Sequence, residues 1–247
     1  MLNGLDLFSG IGGLTIALSE WVNPIAYCEI NAFCQGILIS RISDGSLHNA
    51  PIWDNIETLT YDGRNWPQID IIYGGFPCQD ISIAGNGKGL EGERSRLFFE
   101  ILRLAKEIKP PFIFLENVPA ITTRGGLRVV REIAKMGYDC RWCVISAASI
   151  GALHKRERWF LLAHPMRERL QDREKEGQNE TSQMSIMREC GPYESVALWK
   201  KTVSEMDKCA NGIPYQLDRI RALGNAVVPA QAKKAFKILM GELNENI

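Results

Sequence analysis

The chain has 247 residues, of which 45% are hydrophobic, so it can bury a sizeable core and wholesale disorder is excluded. Its 29 Lys and Arg residues balance its 29 Asp and Glu residues, so net charge alone neither indicates nor excludes nucleic acid. No apolar run is long enough to span a bilayer, no signal peptide is evident and the seven cysteines are scattered, so we expect a protein of the reducing cytoplasm without a membrane partner.

The first unit of the chain reads as a strand, a glycine turn and a helix. Leu2 to Phe8 is short and apolar, Ser9 to Gly13 contains three glycines, and an apolar helix follows. Glycines in such a turn let a ligand lie against bare backbone at a helix N-terminus. The turn is not a full GxGxxG because Thr15 stands at the last glycine's place, and a glycine turn with nothing bound is the alternative.

Two carboxylates follow in the order that an adenosine-containing cofactor would require. The predicted strand Pro24 to Cys28 ends in Glu29, where an acidic residue commonly binds both hydroxyls of a ribose. Asn31 is predicted to cap a helix that ends near Ile42. Asp54 can accept from an adenine amino group, although an ordinary turn aspartate is equally consistent. No Lys or Arg that could bind a phosphate follows directly after the glycines, which argues against a nucleoside triphosphate as the ligand.

A candidate nucleophile follows the predicted buried strand Ile69 to Tyr73. We expect Gly74 and Gly75 to let the backbone leave that strand steeply, and Pro77 to fix φ immediately before Cys78. A thiol would then stand at the carboxyl end of a strand, where open α/β sheets place their chemistry. The alternative is a small buried hydrophobic residue. The glycine-rich segment that follows is predicted to be a lid over substrate, or else an ordinary surface loop.

Glu116 follows the apolar run Pro111 to Leu115 in the same way. Desolvation there would raise its pKa and suit it to donate a proton, whereas pairing with an arginine is the alternative. Arg156 and Arg158 are two residues apart at the entry to another strand, so we expect them to point the same way and to grip a base edge or phosphate. A solvated charged loop is the alternative.

The remaining segments are predicted to be structural. We expect a helix from Gly125 to Met136 with Leu127, Val130 and Ile133 inward, and then a strand from Tyr138 to Ile145. Cys140 and Cys143 have metal-ligand spacing, but no second pair completes a site, so no metal is predicted. His164 to Gly212 reads as a small, loosely structured insert. Pro229 begins a final helix whose apolar face is Ala232, Ala235, Phe236, Leu239 and Met240.

Taken together, these motifs resemble a known family. The matching elements, in the family's order, are Asp6-Leu7-Phe8-Ser9-Gly10-Ile11-Gly12-Gly13, Gly75-Phe76-Pro77-Cys78-Gln79, Glu116-Asn117-Val118, Arg156-Glu157-Arg158 and Gly224-Asn225-Ala226-Val227-Val228-Pro229. The chain resembles the DNA (cytosine-5)-methyltransferases of bacterial or phage type from Met1 to about Ala163, and again from about Pro214 to the last helix. The combination of Pro-Cys-Gln with Glu-Asn-Val is highly specific.

The resemblance implies a fold, a cofactor and a partner. The fold is an α/β class I methyltransferase sheet, Rossmann-like and flanked by helices, formed by residues 1–163 and 213–247, with a small target-recognition insert at 164–212. The cofactor is S-adenosylmethionine, the partner is double-stranded DNA, and the protein is expected to be a monomer. The cofactor residues implied are Phe8, Ser9, Gly10, Ile11, Gly12, Gly13, Glu29, Ile30, Asp54, Pro77, Leu97, Asn225, Ala226 and Val227. The catalytic residues implied are Cys78, Glu116, Arg156 and Arg158, and Gln79, Ser82 and Asn117 support the substrate or the loop.

The resemblance also implies a mechanism. The Cys78 thiolate adds to carbon 6 of a flipped-out cytosine, protonated Glu116 contacts ring nitrogen 3, and Arg158 holds the ring carbonyl. The segment from Ser82 to Phe98 is expected to clamp the base. A catalytically impaired relative that binds DNA or cofactor, and a tRNA cytosine-5 methyltransferase, are the alternatives. A dinucleotide dehydrogenase would leave the cysteine, glutamate and arginine elements unexplained.

Overall fold

A computed structural model describes residues 1–77, 95–152, 155–166, 218, 222 and 226–244. Within these residues a seven-stranded sheet runs in the order β3-β2-β1-β4-β5-β7-β6. The strands are β1 Leu2–Leu7, β2 Val22–Cys28, β3 Ile52–Trp53, β4 Ile71–Gly75, β5 Phe112–Asn117, β6 Tyr138–Ser146 and β7 Glu157–Pro165. The helices are α1 Gly13–Leu18, α2 Ala32–Ser43, α3 Ser95–Ile108, α4 Ile121–Arg124, α5 Gly126–Ala134 and α6 Pro229–Asn244, with a 3-10 turn at Ala147–Ile150.

The central strands are buried on both faces, which explains their continuous apolar sequences. Side chains alternate across the sheet, so Ile72 and Leu115 face one side while Tyr73 and Phe114 face the other. On the first side they pack against α3 and α5. On the second side they pack against α1 and α6, and the predicted apolar face of the last helix is confirmed, with Phe236 buried at its centre. The predicted α/β sheet flanked by helices is therefore confirmed.

The direction of the strands brings many chain segments to one edge of the sheet. Strands β1 to β5 are parallel, whereas β7 runs antiparallel to β5 and β6. The start of β7 consequently lies beside the carboxyl ends of the parallel strands, with Trp159 opposite Asn117. The sequence did not predict this reversal, which depends on pairing between distant segments.

The structure corrects the interpretation of the two glycines before Phe76. Gly74 and Gly75 do not turn the chain out of the sheet, because β4 continues through both and they pair with Leu115 and Glu116. A Cβ on Gly74 would lie only 2.2 Å from the carbonyl oxygen of Leu7 in β1. Glycine is therefore needed here for close approach between neighbouring groups and not for a steep turn.

The predicted helix from Gly125 to Met136 is shorter than expected, and the prediction that Leu127 faces inward is wrong. Gly125, with φ of 139°, separates the short α4 from α5. Leu127 is 62% exposed. The buried positions of α5 are Gly126, Val129 and Ile133, a spacing of three and four residues that leaves Leu127 on the outer side.

Cys140 and Cys143 lie on opposite faces of β6, as odd spacing in a strand requires. They therefore cannot close on one metal ion, and among the described residues no cluster of His, Cys, Asp and Glu could hold one. In the same part of the chain, no helix combines the length and apolarity needed to cross a membrane. The proposed recognition insert at 164–212 lies, from residue 167 onward, outside the described residues.

Candidate functional site

The glycine turn after β1 has the backbone shape that its sequence predicts. Phe8, Gly10 and Gly12 have φ of 55°, 54° and 82°, and the Gly12 amide donates to the Ser9 carbonyl at 2.8 Å. These left-handed conformations suit glycine, so Phe8 is the unusual member. A Cβ on Gly13 would lie 2.9 Å from the Val227 side chain. The turn thus packs directly against the segment that precedes α6.

Glu29 closes the other side of this turn. Its Oε2 accepts from the Gly10 amide at 2.7 Å, and its Oε1 accepts from the Asn31 amide at 2.8 Å. The carboxylate is almost buried, whereas the neighbouring Ile30 is 74% exposed. A carboxylate has about four lone-pair positions, so both oxygens keep capacity for a further donor. Asn31 also caps α2 by accepting from the Cys34 amide, as predicted.

Asp54 lies next to Glu29 across two neighbouring strand ends. The Glu29 amide donates to the Trp53 carbonyl at 2.9 Å, which ties the end of β2 to the end of β3. Asp54 follows Trp53 directly and is exposed. The glycine turn, Glu29 and Asp54 are therefore brought together at one edge in the predicted order.

Glu116 stands at the end of β5 with Arg158 beside it. The Arg158 Nε lies 2.7 Å from Glu116 Oε1, and both side chains are largely buried. Burial raises the pKa of Glu116 to about 7, even though Arg158 and Arg156 act in the opposite direction. Both alternatives posed by the sequence thus hold together, because the carboxyl is paired with an arginine and is also shifted toward its protonated form.

Gly75 makes room for this carboxyl. A Cβ at Gly75 would lie 2.6 Å from Glu116 Oε2. The carboxyl therefore rests against the backbone of β4, two residues before Pro77. Asn117 reinforces the same junction, because its Nδ2 donates to the Phe76 carbonyl at 2.9 Å and its Oδ1 accepts from the Val118 amide. The strand that carries Glu116 and the segment that leads to Pro77 are held together.

Arg156 connects this region to the segment before α6. Its Nη2 donates to the Ala226 carbonyl at 2.7 Å. Gln231, which is fully buried on α6, donates through Nε2 to the carbonyls of Ile145 and Arg156. Because Val227 packs on Gly13, the contacts run from the glycine turn through this segment to the arginine strand. The sequence did not predict this role of Gln231, because its hydrogen-bond partners are more than 70 residues away in the chain.

The sequence also did not predict that Asp6 forms a buried polar group beneath the glycine turn. Asp6 is fully buried and accepts at Oδ2 from the Thr15 hydroxyl at 2.6 Å, and Thr15 Oγ1 lies 2.8 Å from the Tyr73 hydroxyl. Burial, and to a lesser degree the charge of Glu29, raises the pKa of Asp6 to about 8. The available signal was a threonine at the last glycine's place and an acid within an apolar strand.

Four of the predicted site residues lie outside the described residues: Cys78, Gln79, Ser82 and Asn225. Pro77 is the last described residue before Cys78 and is exposed. Leu97 lies in the first turn of α3 and packs against the core cluster that includes Phe98. The other predicted site residues gather at the edge described above, with Ala226 and Val227 reaching it from the segment before α6.

Comparison with known proteins agrees with this geometry. Residues 2–212 match the model of the family described as C-5 cytosine-specific DNA methylase. The chain is 32% identical over 242 residues to the type II methyltransferase M.CviJI of Paramecium bursaria Chlorella virus IL3A, covering 94% of this chain and 58% of that protein. It is also 32% identical over 166 residues to M.DsaV of Dactylococcopsis salina, covering 65% of this chain and 45% of that protein.

Solved structures show the same fold. A candidate DNA modification methyltransferase encoded within an E. coli prophage superposes with a TM-score of 0.55 at 26% identity, covering 67% of this chain and 47% of that one. The chain spans about half the length of the relatives that it matches.

Proposed function

This chain belongs to the family of C-5 cytosine-specific DNA methylases, and from that premise we propose that it transfers a methyl group from S-adenosylmethionine to carbon 5 of a cytosine in duplex DNA. One observation carries the proposal above the others. A buried carboxyl with a pKa near 7, paired with Arg158, rests on the backbone of β4 two residues before Pro77-Cys78. The carboxyl of Glu116 therefore lies at the edge of the sheet from which the chain continues to Cys78, the first residue beyond the described segment.

The residues of the first three strand ends fit the proposed cofactor. The glycine turn leaves backbone open, since a Cβ on Gly10 would have no heavy atom closer than 4.0 Å. Glu29 offers a carboxylate for ribose hydroxyls, and Asp54 offers an exposed carboxylate for an adenine amino group. When bound, S-adenosylmethionine supplies a methyl group on a positively charged sulfur. The Glu29 charge at the turn is suited to that cation.

Cys78 is proposed as the nucleophile because carbon 5 of cytosine is too weakly nucleophilic to take a methyl group directly. The thiolate adds to carbon 6, forming a carbon–sulfur bond and moving the electron pair of the 5,6 double bond toward ring nitrogen 3. Glu116, protonated, donates to that nitrogen and stabilises the developing charge. Carbon 5 would then take the methyl group as the bond between that group and the cofactor sulfur breaks, leaving S-adenosylhomocysteine. A water is proposed to accept the carbon 5 proton, which restores the 5,6 double bond and releases the Cys78 sulfur.

The neighbouring side chains hold this arrangement in place. Arg158 holds the Glu116 carboxyl and is proposed to reach the carbonyl oxygen of the cytosine ring. Arg156 acts as its support, because its own guanidinium is engaged with the Ala226 carbonyl. Asn117 fixes the Phe76 carbonyl and thereby the segment that leads to Cys78. The target base must leave the duplex to enter this site. The predicted clamp at 82–98 is shortened to residues 82–94, because 95–98 belong to α3 and Phe98 is buried in the core. Residues 164–212 are proposed as the recognition insert.

A direct assay tests the proposed function. The purified protein is incubated with methyl-labelled S-adenosylmethionine and either duplex DNA or tRNA, and any 5-methylcytosine is mapped. We expect label in DNA, at cytosines within one short motif. Label in tRNA alone would show that tRNA and not DNA is the substrate. Binding of DNA and cofactor without any label would favour a catalytically impaired relative of the methyltransferases.

A further inference from the structure

The segment that carries Asp54 is a compact turn attached to α3. The Thr58 amide donates to the Asn55 carbonyl at 3.1 Å, and the Asn55 side chain accepts from the Glu57 amide at 2.9 Å. The Trp53 indole nitrogen donates to the Thr58 hydroxyl at 2.9 Å. These bonds fix the shape of the turn, which we call the 54–59 turn. They do not by themselves fix its position relative to the rest of the site.

One side chain of α3, Arg103, attaches the 54–59 turn to the helix. Its Nη2 donates to the Ile56 carbonyl at 2.9 Å and to the Leu59 carbonyl at 2.8 Å. Its Nε and Nη1 are held by Glu100 at 2.7 Å and Glu107 at 2.9 Å, one turn away on either side. The guanidinium is thus oriented by two carboxylates of its own helix so that its remaining edge grips the turn.

Apolar contacts support the same junction. Ile56 and Leu59 are buried in the core cluster that contains Phe98, Ile101 and Leu102 of α3. Apolar burial of this kind holds the two segments together but is not directional. Two hydrogen bonds from a rigid planar group add a defined geometry to the backbone of the turn. Arg103 therefore sets the register between the turn and the helix.

We propose that Arg103 is a positioning residue for the adenine end of the cofactor, and this inference rests on the proposed function. The 54–59 turn begins with Asp54, which would accept from the adenine amino group, and the first turn of α3 carries Leu97, which would complete the same pocket. By locking the turn to the helix, Arg103 fixes the position of the Asp54 carboxylate relative to Leu97. Arg103 itself does not touch the cofactor.

A purely structural role predicts a different outcome. Exposed ion pairs contribute little to stability, and the Arg103 side chain is 30% exposed, so its pairs with Glu100 and Glu107 are weak stabilisers. If Arg103 served stability alone, its loss would weaken binding of any cofactor analogue to the same degree. If it positions Asp54, its loss acts on the contact to the amino group specifically.

The test compares two ligands that differ at the amino group. Affinities of the full chain for S-adenosylhomocysteine and S-inosylhomocysteine, which has a keto oxygen in place of the adenine amino group, are measured by calorimetry. Arg103→Lys keeps the positive charge but cannot reach both carbonyls, and Arg103→Gln is measured beside it in case one variant fails to fold. Lys106→Gln is the matched control, since it removes a positive charge from an exposed position of the same helix and leaves Arg103, its two carboxylates and both carbonyl bonds in place.

We expect Arg103→Lys to lower the preference for S-adenosylhomocysteine about tenfold, the size of a lost hydrogen bond to a charged group. We expect the preference of the control to be unchanged, and Arg103→Lys to add nothing when combined with Asp54→Asn. An unchanged preference in a folded Arg103 variant would overturn the inference while leaving the proposed function standing. Absence of S-adenosylhomocysteine binding by the unaltered protein would overturn both.

Discussion

Arg158 Nε lies 2.7 Å from Glu116 Oε1, yet the pKa of Glu116 is raised to about 7. An arginine at this distance ordinarily lowers the pKa of a carboxyl. Here burial outweighs both Arg158 and Arg156, so the site holds a carboxyl that is close to half protonated at neutral pH. This balance is what a proton donor requires, and several consequences can be measured.

Removing the acid of Glu116 should stop catalysis and leave the fold intact. Glu116→Gln keeps the shape and a partner for Arg158 but cannot release a proton to ring nitrogen 3. We expect turnover of labelled S-adenosylmethionine on DNA to fall about 10²- to 10⁴-fold, with an unchanged melting temperature. Glu157→Gln, an exposed neighbour of both arginines, is the control. Near-normal turnover in Glu116→Gln would remove this residue from the proton-donor role.

The pH dependence of turnover should report the same group. In the proposed mechanism Glu116 acts in its protonated form, and the population of that form falls as pH rises through about 7. We expect single-turnover rates to decline above neutral pH, approaching tenfold for each pH unit, once the opposing ionisation of the thiol is complete. Rates are measured from pH 6 to 9 in wild type and in Glu116→Gln. If the residual rate of Glu116→Gln declined with pH in the same way, the decline would have to come from the ionisation of another group.

Alanine substitutions at the two glycines of β4 should have different effects, one on stability and the other on activity. Gly75→Ala places a Cβ 2.6 Å from Glu116 Oε2, which is the movable end of a side chain. We expect a folded protein with turnover reduced about a hundredfold, because the carboxyl is displaced. Gly74→Ala meets the Leu7 carbonyl in the neighbouring strand and should lower the melting temperature strongly. Equal thermal stability of the two variants would contradict this assignment.

Asp6 should make stability depend on pH. Its pKa is raised from 3.8 to about 8 in the folded state, so the folded protein binds the proton more tightly than the unfolded chain. The contribution is fully present below pH 4 and is lost as pH rises toward 8, by roughly 1 kcal/mol for each pH unit. Asp6→Asn cannot ionise. We expect urea unfolding to show a loss of stability between pH 5 and 8 in wild type that is much smaller in the variant. Parallel plots of unfolding free energy against pH for the two proteins would exclude Asp6 as the cause of the loss.

Much of this arrangement follows from local sequence. Apolar runs that end in Glu29 and Glu116 predict strands with carboxylates at one edge, because parallel strands share their carboxyl edge. Asn31 predicts its helix cap through a bond to a residue three positions away. The structure bears out each of these because the deciding contacts are local or follow from strand direction.

The remaining features depend on contacts between distant segments. The two glycines after Tyr73 predict a steep exit from the strand, but what they accommodate is the Leu7 carbonyl and the Glu116 carboxyl on neighbouring strands. Thr15 reaches Tyr73, 58 residues further along the chain, which no local pattern reveals. The role of Arg103 likewise has no local signal, because its carbonyl partners lie more than 40 residues away in the chain.

The central claim is that Cys78 attacks the base, and methyl transfer by Cys78→Ser tests it most directly. Wild type and Cys78→Ser are assayed with labelled S-adenosylmethionine on duplex DNA, and S-adenosylhomocysteine binding is measured on the same samples. A hydroxyl is far less nucleophilic than a thiolate at neutral pH. We predict 5-methylcytosine in DNA from wild type and none from the variant, with equal cofactor affinity. Methylation by the variant at the wild-type rate would contradict the covalent mechanism.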